Sequence, residues 1–93
     1  MSLPTTPEGI LAAAQRIENF LHDDVIADVM QRLERKFYEE FIGADTSELR
    51  VRAWAKATVL REWEREMRAI ISNGEKELLV KNKQDQRANL LQM

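Results

Sequence analysis

Histidine, serine and the carboxylates are the side chains from which a catalytic or metal site could be built here. The single histidine, His22, stands four residues after Glu18 and beside Asp23 and Asp24. On a helix, a His and a carboxylate at i and i+4 share one face and could enter a transition-metal site. One such pair falls short of a ligand set, and the sequence holds no second His. A polar helix junction accounts better for the group. Ser47 and Ser72 fall at expected helix ends, where capping explains a serine. Gly9, Gly43 and Gly74 lie too far apart to form a loop that cradles phosphate. The absence of Cys excludes disulfides, thiolate zinc sites, iron–sulfur clusters and cysteine nucleophiles together. The expectation is therefore no enzyme: no catalytic residue, no metal, no cofactor and no small-molecule substrate.

The more specific pattern is one for binding. At about 100° per helical residue, Arg50, Trp54, Arg61, Arg65 and Arg68 fall on one side of a helix. They lie well away from the seam marked by Leu49, Leu60 and Met67. Arginines interrupted by an aromatic occur on nucleic-acid surfaces and at the energetic centres of protein interfaces. Glu62 and Glu66 are expected to point elsewhere. Glu64 borders the stripe, weakens its positive potential and could pair with Arg68 as an i, i+4 neighbour. Val51 and Trp54 are off the seam, so a lone hairpin would expose them and another surface should cover them. Trp63, Met30, Met67, Phe37 and Phe41 sit on apolar stripes and are assigned to the core. The candidate partner interface is thus Arg50, Val51, Trp54, Arg61, Arg65 and Arg68. Self-association or another protein is the expected partner, with nucleic acid the weaker alternative.

The elements that would position these residues follow from composition and punctuation. The chain has 93 residues, 44% of them hydrophobic, but ten of those residues are Ala, so the bulk available for a core is modest. With 32% charged residues, three Gly and two Pro, this is the profile of an all-α chain of one small domain. Thr6-Pro7-Glu8 reads as an N-cap, a first-turn proline and a first-turn acid, opening a helix over about 7–22. Its apolar register would bury Asp24 and Asp28 if it continued, so a break is expected near His22-Asp23, with Asp23 or Asp24 as the next cap. A second helix over about 24–42 stops at Gly43. Asp45-x-x-Glu48 has the spacing of a capping box for a third helix over about 47–72. Leu49, Ala53, Lys56, Leu60, Trp63, Met67 and Ile70 give that helix a coiled-coil seam with one Lys interruption. Asn73-Gly74 is expected to end it, at a length of roughly 39 Å.

The short connection makes the second and third helices an antiparallel hairpin. Residues 1–74 then form a helical domain and 75–93 a polar, helix-capable C-terminal tail or arm. Leu78, Leu79, Val80, Leu90 and Leu91 are the candidates for docking that tail. No run approaches the roughly 20 apolar residues of a membrane span. Met1-Ser2-Leu3-Pro4 lacks the basic start and apolar core of a secretory signal, so a cytoplasmic location is expected, with no membrane partner. The net charge of −2 hides a division. Residues 1–46 carry nine acids and four bases, whereas residues 47–93 carry seven acids and ten bases. Such asymmetry suits self-association, intramolecular pairing or partner recognition.

Part of the chain resembles short helical-hairpin proteins of tailed bacteriophages and prophages. The residues that carry the resemblance are Leu33-Glu34-Arg35-Lys36-Phe37-Tyr38-Glu39-Glu40-Phe41, Asp45-Thr46, Trp54, Leu60, and Met67-Arg68-Ala69-Ile70-Ile71-Ser72-Asn73-Gly74. It spans residues 33–74 and brings no catalytic residues with it. The resemblance implies a viral context, near head assembly or packaging, and with it a location in the host-cell cytoplasm or the virion. The expected function is a non-enzymatic assembly or interaction protein that self-associates or docks on another virion protein. A small DNA-binding protein using the Arg/Trp stripe, and an inhibitor of a host protein, are the alternatives.

Overall fold

The computed structural model describes residues 3–91. The part of the N-terminal signal reading that falls on Met1 and Ser2 lies outside them. Three helices follow in order: α1 (Pro7–His22), α2 (Asp24–Ile42) and α3 (Ser47–Leu91). There is no strand among the described residues, so the fold is all-α.

Local chemistry sets most of the boundaries. Thr6 caps α1: its carbonyl accepts from Ile10 N–H at 2.9 Å and its Oγ1 from Gly9 N–H at 3.2 Å. Asp23 leaves the helical conformation, with φ −67° and ψ 127°. Its Oδ1 accepts from the N–H groups of Val25 and Ile26 at 2.9 and 3.1 Å. Two of the donors left over at the start of α2 are thereby satisfied. Asp23→Ala should cost about 1 kcal/mol. Hydrogen exchange checks this, with faster exchange expected first at Val25 and Ile26.

Gly43 closes α2 without a left-handed turn. Its φ is −83°, and its N–H donates to the Glu39 carbonyl at 2.9 Å. Thr46, not Asp45, caps α3. Its Oγ1 accepts from Leu49 N–H at 3.2 Å and its carbonyl from Arg50 N–H at 3.1 Å. The expected box falls one residue out of register, because Asp45 lies outside the cap position.

The largest departure concerns the end of α3. The helix runs through Asn73-Gly74 to Leu91, 45 residues in all. That is about 68 Å of helix at 1.5 Å per residue. No glycine has a positive φ, so Gly74 makes no left-handed exit and the helix has no local reason to stop. Residues 75–91 of the expected tail or arm are the continuation of α3 itself, and residues 92–93 lie outside the described residues.

The chain divides into two compact units. In the first, Phe20–Met67, α2 and the beginning of α3 form the antiparallel hairpin. Ala53, Leu60 and Met67 are its buried apolar residues, and α2 contributes no fully buried side chain. Lys56, the interruption in the seam, is accommodated at the surface. Its Nζ lies 3.1 Å from Glu40 Oε2 and 5.9 Å above the Phe37 ring. Trp63 is not core, being 48% exposed. Its ring meets Phe20 edge-on at 6.1 Å and 80°. Phe20 covers only part of the indole, although Leu60 and Met67 on either side of it in the seam are buried. Phe41 is likewise 39% exposed, and Met30 and Phe37 are half-buried.

The second unit joins Met1–Asn19 to Arg68–Met93. Ala14 and Gly74 are both buried there. A Cβ placed on Gly74 would overlap the Ala14 methyl and lie 3.8 Å from the Ile10 carbonyl oxygen. Gly74 therefore serves as a point where the backbones of α3 and α1 approach closely.

Candidate functional site

A groove of about 420 Å³ runs between α2 and the beginning of α3. Its α2 wall is Glu34, Phe37, Tyr38 and Phe41, an i, i+3, i+4, i+7 set that shares one helical face. Its α3 wall is Ala53, Trp54, Ala57, Leu60 and Arg61, spaced in the same helical way. Two alanines stand where larger side chains would fill the space between the helices. The groove exists because Ala53 and Ala57 do not reach across it. A shallower depression of about 230 Å³, formed by Phe41, Ser47, Arg50, Val51 and Trp54, extends it toward the loop. Phe41 and Trp54 border both.

The structure thus brings together four of the six residues expected at a partner interface. Trp54 and Arg61 line the groove, and Arg50 and Val51 line its extension. Trp54 is 60% exposed and Val51 63%, so neither is covered by the chain's own helices. Arg65 is engaged elsewhere: its Nη1 lies 2.7 Å from Glu62 Oε1. Glu62 was expected to point away. The i, i+3 spacing instead lets it take Arg65, and the exposure of both partners keeps that pair weak. Arg68 is exposed and belongs to the second compact unit, outside the groove. Leu78, Leu79, Val80, Leu90 and Leu91 are all exposed along α3, Leu91 most of all.

Glu34, Tyr38, Ala53 and Ala57 were not singled out from the sequence as parts of a site. The available signal was the 34–37–38–41 spacing, but it becomes a wall only once the facing helix is known. His22 is exposed, and no group of three His, Asp or Glu side chains suited to a metal ion occurs among the described residues. No helix among them is long and apolar enough to cross a membrane.

What this arrangement offers chemically is burial. An aromatic and aliphatic surface is presented to solvent, with an acid and arginines at its edges. Large aromatic anchors beside Arg are the composition of protein-binding hot spots. Comparison with known proteins gave no match: no family model fits the chain, and no curated protein or solved structure is significantly similar to it.

Proposed function

We propose that this is a non-enzymatic helical assembly protein that docks on a protein surface through the α2–α3 groove. The observation that carries the reading is the exposure of Trp54 at the edge of a groove walled by Phe37, Tyr38 and Phe41. A contiguous apolar surface rimmed by polar groups marks an interaction site more often than an idle one. The chain's small core points the same way, because small helical domains gain stability by association. The resemblance of residues 33–74 to tailed-phage and prophage hairpin proteins supports a place in head assembly or packaging.

Site-specific photocross-linking in the producing cells tests the reading. Benzoylphenylalanine in place of Tyr38 should give a discrete protein adduct. The same group in place of Arg32, on the opposite side of α2, should give none. Adducts at both positions, or at neither, would overturn the assignment of the groove. Retention of a DNA fragment by the purified chain, weakening steeply with salt, without any adduct at Tyr38, would replace it with nucleic-acid binding.

A further inference from the structure

Resting on the groove as a docking surface, we infer that its occupant is a second copy of this chain. The two copies pack face to face, with α2 of each lying on residues 47–67 of α3 of the other. The two-fold axis runs along the hairpin.

The uncovered apolar face is the first argument. Phe41, Val51 and Trp54 lie exposed along the groove and its extension. A two-fold interface uses one patch on both copies, so a single contact covers these residues on both. Two hairpins joined in this way complete a four-helix bundle, the common solution for hairpins with one apolar face.

Charge is the second argument, and it selects the axis. Glu34 and Arg61 line the groove at the end far from the 43–46 loop, and Phe41 and Arg50 lie toward that loop. Glu34 and Arg61 take no part in the ion pairs found among the described residues. An axis along the hairpin sets α2 opposite α3 of the second copy at the same level. Glu34 then faces Arg61 of the second copy, and the symmetry repeats the pair. Trp54 is placed at the level of the second copy's Phe41, closing an aromatic layer. An in-plane axis across the helices would instead turn Arg61 toward the part of α3 that carries Arg50, placing like charges together. Opposite charges aligned in this way specify register and orientation.

Sedimentation equilibrium of the full chain over about a hundredfold concentration range reads this directly, because mass action populates a dimer as concentration rises. The expected mass is twice 10.8 kDa. Arg61→Glu alone and Glu34→Arg alone should each weaken the dimer about tenfold or more. The combined exchange should return the affinity to within about threefold of the original, since it restores both pairs with reversed sign. That recovery keeps the test independent of whether one single variant folds poorly. A monomer at every concentration, a combined variant no tighter than the singles, or a dimer strengthened by Arg61→Glu would each overturn the inference. The two proposals fail separately. A monomer that still forms a Tyr38-position adduct with a different protein ends self-pairing and leaves the groove's role standing, whereas no adduct at all ends both.

Discussion

Gly74→Ala should destabilise the α1–α3 contact by about 2 kcal/mol, although alanine is the better helix former. In an exposed helix interior the same change gains about 1 kcal/mol. Here the new methyl would overlap that of Ala14, which is itself buried. Helix backbones cannot yield as a flexible side chain would, so α1 must move off α3 or tilt on it, and overpacking of this kind costs about 1–3 kcal/mol. Hydrogen exchange over residues 7–19 and 68–80 should show lost protection there, with the α2 amides little changed. The reciprocal variant Ala14→Gly with Gly74→Ala exchanges the two sizes across the contact and should recover part of the loss. Its shortfall should be about 1 kcal/mol, the cost of a glycine inside α1. A Gly74→Ala chain more stable than the original would show that the close approach does not exist.

Leu60→Ala should be the most damaging truncation in the hairpin. Leu60 is 8% exposed. It lines the groove on one side and, with Leu33, Val59 and Trp63, a second apolar depression on the other. Removing a buried leucine side chain costs about 2–5 kcal/mol, and most where surrounding groups cannot collapse into the space. Few buried neighbours are available to share that loss, since Ala53 and Met67 are the hairpin's other buried apolar residues. Marginal stability of about 5–15 kcal/mol in small domains makes this a large fraction of the total. Urea titration followed by far-UV circular dichroism should show a much lower midpoint. A shift no larger than that of an exposed alanine substitution would mean that the hairpin is held by something other than Leu60.

Helix positions were legible wherever the determining chemistry is local. Thr6-Pro7 and the change at His22-Asp23 each act within one helical turn, and each stands where the sequence placed it. The cap of α3 slipped by a single residue because Asp45 and Thr46 are both competent, and only the backbone path chooses between them. The end of α3 was not legible. Gly74 carries the same letter whether it terminates a helix or admits another helix against it, and Ala14, which decides the matter, lies about 60 residues away. The groove divides in the same manner. Its α3 wall announced itself through Trp54 and Arg61, which helical spacing separates from the seam. Its α2 wall did not, because Phe37 and Phe41 look like core until the opposite alanines are seen to leave them half uncovered. Trp63 illustrates the remaining difficulty: Leu60 and Met67 beside it in the seam are buried, and helical spacing does not reveal that Phe20 covers only part of the indole.

The continuity of α3 also has a consequence for the order in which the chain folds. The pairing of Glu40 with Lys56 closes a segment of only 16 residues, whereas the meeting of Ala14 and Gly74 closes one nearly four times as long. Loop-closure entropy makes the longer closure less favourable by about 1 kcal/mol. The hairpin contacts are therefore the early ones, and α1 is the late arrival. Phe20 meets Trp63 and Ala14 meets Gly74, so the apolar stripe of the first helix waits uncovered until residues 63–74 of α3 are in place.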